Sequence, residues 1–460
     1  MKIKTKTLRA SSYLNHIDIG DGTSIIFNGS TLCIDLLPTE YINEILNLGD
    51  TCNFSLSEEE KQHLINRGHL TTLTVKQEID AFKKQARFIL EKCSTLDKER
   101  QIGNLTFLLT YSCNLSCSYC FQKSLPDKSK NSTMSAEFVD NFFAKYFPKL
   151  FPKTQKIIIT LFGGEPLLPN NREAINRILA HAKENPLVRI FVATNATTLD
   201  EMLDLMGPEQ GKIQGVQVTL DGDSLLHDQN RIPVSGKPTF DTMVAAIKKL
   251  IHLKVNVSIR MHLHQGQMES AQKLVEYLEK EEILNHPLVS VYFSPINTFS
   301  SEQISANDIS LFRQIFQNVA AKTCHPPSNL NFMVKFLEMQ SEKILPKVRY
   351  CGAGSDTFYI ADPLGDIYDC FEEAGHKDRR IGTFSNGEVK FFPLKEKYAK
   401  RHLLNIPECI KCSYALFCGG GCPSQARVQS GSIYKAYCHQ NKEFISQTLK
   451  AFYLKKISSC

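Results

Sequence analysis

The sequence has no apolar run approaching the roughly twenty residues that cross a bilayer, so no membrane span is predicted. Its first residues, MKIKTKTLRASSYLNH, lack the apolar stretch of a signal peptide. The expectation is a cytoplasmic protein, in a compartment that keeps thiols reduced. A strong charge of one sign is also missing. The 54 Lys and Arg against 48 Asp and Glu leave +6 at pH 7, and the basic residues are scattered, which argues against a nucleic-acid partner. No internal repeat or low-complexity tract stands out. With 42% hydrophobic and 22% charged residues, the composition is that of an ordinary globular protein. The length of 460 residues suits roughly two to four domains.

Cysteine, by contrast, is plentiful. Fifteen cysteines in a reducing compartment point to metal rather than disulfides. They are unevenly placed. Cys113, Cys117 and Cys120 share the stretch YSCNLSCSYCF, and seven more fall between positions 351 and 438. An odd trio leaves one thiol over in any disulfide scheme. A zinc site normally takes four ligands, and Asn/Ser-rich surroundings make a poor core for buried thiols. Three thiolates in a tight loop suit an iron–sulfur cluster, with one iron open to a substrate or cofactor.

Hydrophobic patterning divides the chain. In residues 1–95, SIIFNG and TLCIDLL read as two strands joined by an Asn28-Gly29 turn. PTEYINEILNLG reads as a helix closed by Gly49, and SEEEKQHLINRGHLTTL as a second helix ending at Gly68, then a strand. This predicts a winged-helix-like module, with a plain N-terminal cap as the other reading. Residues 100–300 alternate apolar runs with amphipathic stretches. The candidate strands are Leu105–Thr110, Ile157–Leu161, Arg189–Thr194, Gly215–Leu220, Val255–Leu263 and Leu288–Ser294. Between them lie segments such as REAINRILAHAKE and TFDTMVAAIKKLIHL. Six such units predict an α/β fold with a parallel sheet, a partial (β/α)6 TIM-type barrel. Barrel chemistry sits at strand C-termini, which is where the cysteine triplet falls. Residues 301–350 read as a helical bridge, and 351–460 as a cysteine-rich domain with a terminal helix.

The CxxxCxxC spacing after a first strand resembles the radical S-adenosylmethionine (SAM) superfamily. The resemblance implies that Cys113, Cys117 and Cys120 ligate a catalytic [4Fe–4S] cluster whose open iron chelates SAM. Reductive cleavage of SAM would give a 5′-deoxyadenosyl radical that abstracts a hydrogen atom. FGGEP follows the second strand, and Gly163, Gly164 and Glu165 are expected at the SAM methionine, with Glu165 on its ammonium. Asn195 in ATNAT, Asp221 in TLDGD and Arg260 in VSIRMHL are expected near SAM or substrate, Arg260 on the SAM carboxylate. Ordinary strand-end polar residues are the other reading for these three. HDQNR, residues 227–231, is expected near the substrate, and Tyr119 on the adenine.

The C-terminal cysteines resemble a SPASM domain. GDIYDC is followed by CIKCSYALFCGGGC and a distant cysteine. The resemblance implies two auxiliary iron–sulfur clusters, three [4Fe–4S] clusters in all. Cys409, Cys412, Cys418 and Cys438 would hold the outer one, and Cys351, Cys370 and Cys422 the inner one. Spacing alone also allows two zinc ions. Some members carry an extra cysteine where Thr357 stands, so the inner set has three ligands. Cys324, an open iron and a substrate thiolate are the three ways to complete it. Cys33, Cys52, Cys93 and Cys460 belong to no motif.

The family mostly modifies peptides and proteins. The resemblance implies a maturase of ribosomally made peptides, with residues 1–95 recognising a leader and a flavodoxin or ferredoxin supplying electrons. The product would be a thioether or a carbon–carbon cross-link. An anaerobic sulfatase-maturing enzyme is the alternative. Those enzymes usually begin close to the cysteine motif and tend to carry Asp after the second SPASM cysteine, where Phe371 stands here. An electron carrier or sensor that never cleaves SAM is the third reading, and FGGEP argues against it. Glu372 and Glu373 are candidates for the final proton acceptor, a solvated acidic pair being the other reading.

Overall fold

The structure is a computed structural model that describes residues 7–47, 56–100, 102–125, 131–152, 156–263, 266–295, 311, 315, 324–325, 345–438 and 441–458. The chain forms two compact units. The first gathers residues 1–95, 329–351 and 401–460, and the second residues 96–328 and 352–400. This partition differs from the sequence-based one. The N-terminal residues share a unit with the last sixty, and the cysteine-rich region is divided. Of the expected bridge 301–350, most lies outside the described residues, as do Gly49, Cys52 and Cys460. No described helix is long and apolar enough to cross a membrane.

In the first unit, β1 (Arg9–Ala10) pairs with β5 (Leu70–Thr71). β2 (Leu14–Asp18), β3 (Thr23–Asn28) and β4 (Ile34–Pro38) form an antiparallel meander. The central strand is apolar on both faces because each face meets its own core. Ile26 packs with Ile42, Ile45 and Leu64. Phe27 packs with Phe82, Leu403, Phe417 and Ile445. That second core joins the N-terminal segment to the C-terminal one. The helix Glu58–Asn66 opens with a capping box of Ser57 and Glu60 and is followed by Gly68 at φ +80°, as predicted. Asn28-Gly29 is not a two-residue hairpin turn. The Asn28 side chain accepts from the amides of Ser30 and Thr31 in a longer loop. Gly29 is needed because a Cβ there would sit 1.5 Å from the Ser413 carbonyl oxygen.

The second unit carries the six predicted strands as β6 (Ile102–Thr110), β7 (Lys156–Gly163), β8 (Val188–Thr194), β9 (Ile213–Leu220), β10 (Asn256–Leu263) and β11 (Val289–Pro295). Each is parallel to the next. Helices such as Arg172–Glu184, Phe240–His252 and Met268–Lys280 connect them. This is the α/β architecture of a partial TIM-type barrel. The sheet runs further at both ends. β12 (Cys324–His325) joins β11. β13 (Phe358–Ala361) pairs parallel to β6, and β14 (Asp366–Tyr368), β15 (Gly382–Ser385) and β16 (Glu388–Phe391) continue antiparallel.

Side-chain alternation gives the parallel strands two unlike faces. Ile159, Val218, Ile259 and Val291 are wholly buried. Their neighbours Thr160, Gln217, Arg260 and Tyr292 are half-buried, and Phe191 is 36% exposed. The second set lines an open inner face.

Candidate functional site

Strand β6 ends at Thr110, and the cysteine loop follows at once. It is held by the segment after the helix Ser224–Asn230. The Ser116 amide donates to the Ile232 carbonyl at 2.7 Å, and Ser118 to that of Asn230 at 3.0 Å. Val234 returns a bond to Asn114 at 3.0 Å. HDQNR therefore leads into the strap that shapes the loop.

All three thiols are half-buried. Burial pushes the Cys113 thiol up to about 12, with the Glu165, Cys117 and Cys120 charges adding to it. Burial also raises Cys117, against the pull of Arg231. Leu115 donates its amide to Cys113 Sγ at 3.4 Å, and Asn195 Nδ2 lies 3.9 Å from it. Among the described residues no three His, Cys, Asp or Glu side chains close on one ion-sized point. The fit to an iron–sulfur cluster rests on the donor set. Three thiols share one poorly solvated loop, where thiolates persist only against positive charge.

The end of β7 lies against this loop. The Gly164 amide donates to Thr110 at 2.8 Å and that of Glu165 to Ser112 at 2.9 Å. A Cβ on Gly164 would stand 2.1 Å from the Ser112 carbonyl oxygen. The glycine pair is thus required by the approach of two protein loops. Gly164→Ala should lower stability by about 1–3 kcal/mol, because a backbone atom blocks the new methyl. It should also reduce the iron retained after reconstitution. Thermal melts and iron analysis against wild type read both effects, and an unchanged melt would contradict the close approach.

Glu165 is fully buried. It accepts from Thr194 Oγ1 at 2.6 Å, the Asn195 amide at 2.7 Å and the Leu167 amide at 2.8 Å. Burial pushes its carboxyl up while these donors hold it down. It ties the loops after β7 and β8 together. Asn195, 4% exposed, donates Nδ2 to Asn114 Oδ1 at 2.8 Å and so fixes the loop after β8 to the cysteine loop.

Asp221, wholly buried at the end of β9, gathers a polar group. Tyr119 donates its hydroxyl to Asp221 Oδ2 at 2.5 Å, and Arg231 Nη1 donates to the Tyr119 oxygen at 2.9 Å. His262 Nδ1 lies 3.2 Å from Asp221 Oδ1, and Arg231 Nη1 3.9 Å from it. The Tyr119 ring meets His262 edge-on at 5.0 Å. Burial pushes the His262 imidazole down to about 4. Tyr119 was expected on adenine; its hydroxyl is bonded within this group. His262 carries no expected role from the sequence, and Arg231 only its place in HDQNR near the substrate. Arg260 lies apart from the strand end, on the inner face of β10, and donates Nη2 to Ser294 Oγ at 2.9 Å. Glu373 is 1% exposed and accepts from the Tyr398 hydroxyl at 2.5 Å, so it is not part of a solvated pair. Glu372 beside it is half-buried.

In the first unit the outer cysteine set does come together. Burial pushes Cys409 up to about 12, with Cys418, Cys412 and Cys438 adding to the rise, and Cys418 up to about 11, with Cys412 and Cys438 adding to it. Cys438 is raised by burial and by Cys412. Cys412 donates its amide to Cys409 at 3.1 Å, and Tyr414 donates to Cys412 Sγ at 3.4 Å. A Cβ on Gly421, at φ +74°, would meet the Tyr437 carbonyl oxygen at 1.8 Å, which explains a glycine between Cys418 and Cys422. Four thiols suit a four-iron cluster. Of the inner set, Cys351 and Cys422 belong to the first unit and Cys370 to the second. Cys324 stands on the edge strand β12. Cys33 and Cys93 are half-buried.

A family model described as "Radical SAM superfamily" matches residues 107–278. A radical SAM cyclopropyl synthase, TigE of Paramaledivibacter caminithermalis, is 22% identical over 375 residues, 77% of this chain and 74% of that enzyme. A cysteine-type anaerobic sulfatase-maturating enzyme of Clostridium novyi is 25% identical over 174 residues, and the chain spans under half of it, 46%. Among solved structures, anSMEcpe with bound AdoMet superposes at TM-score 0.58 with 19% identity, covering 77% of this chain and 99% of that one. SuiB of Streptococcus suis bound to its precursor peptide SuiA superposes at 0.50 with 14% identity, covering 93% and 98%. Residues 107–278 are thus what the chain shares with the radical SAM superfamily, as a radical SAM domain within a longer chain.

Proposed function

We propose that the chain is a radical SAM maturase of a ribosomally made precursor peptide, installing a thioether or carbon–carbon cross-link. The observation that carries this reading is the extent of the likeness to SuiB. That match leaves about 7% of this chain uncovered, too little to omit residues 1–95, whereas the anSMEcpe match covers 77%. In this reading residues 1–95 bind the leader. The groove between β4 and the helix Glu58–Asn66 is lined by Leu37, Ser57, Glu60, His63 and Leu64, with a volume of about 510 Å³. An edge strand beside such a groove suits an added peptide strand.

Cys113, Cys117 and Cys120 would hold the catalytic cluster. When bound, cluster and SAM supply a 5′-deoxyadenosyl radical that takes a hydrogen atom from a substrate carbon. Gly163 and Gly164 let the β7 loop close on the cysteine loop. Glu165 and Asn195 fix the two neighbouring loops to it. Arg231 sets a guanidinium charge against Cys117 and, with Asp221, holds Tyr119. The outer four thiols would carry an auxiliary cluster. A flavodoxin or ferredoxin would deliver the electron.

The test is coexpression with a short peptide encoded beside this gene. The expected product has lost two hydrogens per cross-link, read by mass spectrometry and located by fragmentation. The sulfatase-maturing reading is favoured by the 25% identity to the Clostridium novyi enzyme. It predicts instead a formylglycine from a Cys or Ser in a sulfatase peptide. That product, with an unchanged precursor, would displace the proposal.

A further inference from the structure

Among the described residues, the Arg260 guanidinium on the inner face of the sheet forms no ion pair. Arg260 stands on β10 between Ile259 and Met261, which are both wholly buried, so its own half-buried side chain faces the other way, into the barrel. The adjacent strands present Thr219 and Tyr292 at its level. Among the described residues its hydrogen-bond partner is Ser294 Oγ, 2.9 Å from Nη2. Nε is buried without a partner. Asp221, the buried carboxylate of this part of the fold, is already taken by Tyr119 and His262. An unpaired charge in a poorly solvated place is costly, and a guanidinium with free donors matches the planar fork of a carboxylate.

The depth of Arg260 separates it from the rim. It lies three residues before the end of β10 at Leu263, about 10 Å along the strand. The cysteine loop, Glu165, Asn195 and Asp221 all follow strand ends. Across the same face, Phe162 packs on Phe371 at 5.0 Å and Phe191 is 36% exposed. One wall is therefore apolar, and the other carries a fixed cation beside Tyr292 and Ser294.

We infer that Arg260 is a carboxylate subsite for the peptide, receiving an acidic side chain or a terminal carboxylate next to the carbon that loses hydrogen. This rests on the peptide-modifying reading and names a substrate chemistry for it. Three deuterated probes separate the sources: acetyl-Glu-amide with a side-chain carboxylate, acetyl-Gln with a main-chain carboxylate, and acetyl-Gln-amide with neither. Reduced, reconstituted protein with SAM is given each probe, and deuterium transfer to 5′-deoxyadenosine is measured. Saturation-transfer NMR reads probe binding independently. One or both carboxylate probes should exceed the neutral one roughly tenfold in both measurements, as expected for a charge-assisted bond. Arg260→Gln should flatten the preference, and Arg260→Lys should retain part of it. Equal response to all three probes in wild type overturns the inference. So does a preference that survives in Arg260→Gln, or a loss of SAM affinity in that variant, which would assign the arginine to the cofactor. Absence of 5′-deoxyadenosine would strike the functional reading, and the NMR comparison would still decide the subsite.

Discussion

Cys113→Ala should abolish the formation of 5′-deoxyadenosine from SAM while leaving the fold standing. The cysteine is the first of three thiols on a loop that follows β6. Without it, two thiols remain for a cluster that needs three from this loop, so iron content should fall by roughly four per chain. The folding cost is small. Removing a half-buried sulfur is a minor cavity, about 1 kcal/mol by comparison with one-methyl deletions in cores. The Leu115 amide and Asn195 Nδ2 lose a sulfur acceptor, but Asn195 keeps its 2.8 Å bond to Asn114, and the strap bonds at Ser116 and Ser118 do not involve the sulfur. The melt of the iron-free protein should therefore stay close to wild type while turnover disappears. A variant that still cleaves SAM at the wild-type rate would remove Cys113 from the catalytic centre.

What was legible in the sequence was whatever repeats locally. The strands around Ile159, Val218 and Ile259 announce themselves because one face packs on helices and the runs are apolar. The cysteine loop was legible because three thiols at fixed spacing have few other uses. The glycine pair was noticed for the right flexibility, yet the neighbour it accommodates is Ser112, a contact between loops some fifty residues apart in sequence. Arg231, His262 and Tyr119 show the limit more sharply. Each is an ordinary polar residue by itself, and only folding shows that all three address Asp221. Phe27 and Phe417 meet at 5.6 Å across nearly four hundred residues. Nothing in either segment's periodicity says which apolar face it will cover. The Asn28-Gly29 pair was misleading for the same reason, since its glycine answers to Ser413 rather than to a tight turn.

Deleting residues 1–95 should leave no folded first unit, so this region cannot be tested as a detachable module. Tyr13, Phe27, Phe82 and Ile89 are buried in one core with Leu403, Phe417, Ile445 and Leu449. Burying four such side chains stabilises by roughly 6–12 kcal/mol, comparable to the whole margin of a typical domain. The lost contacts also reach the outer cysteine set. The Tyr13 hydroxyl donates to the Ile410 carbonyl at 2.6 Å, Asn15 Nδ2 to that of Ser413 at 3.2 Å, and Ser413 Oγ returns to Asn15 Oδ1 at 2.6 Å. These bonds brace the turn between Cys409 and Cys418. The truncated chain should aggregate on size exclusion and, after reconstitution, bind less iron than the full chain. A soluble truncation with its auxiliary iron intact would refute the shared core. Leader recognition is better tested with His63→Glu, which places a charge in the groove beside β4 on a largely exposed side chain. It should weaken precursor binding roughly tenfold in a fluorescence anisotropy titration, with the melt close to wild type. Unchanged affinity would leave residues 1–95 as a structural brace for the cysteine-rich segment and move leader binding elsewhere on the chain.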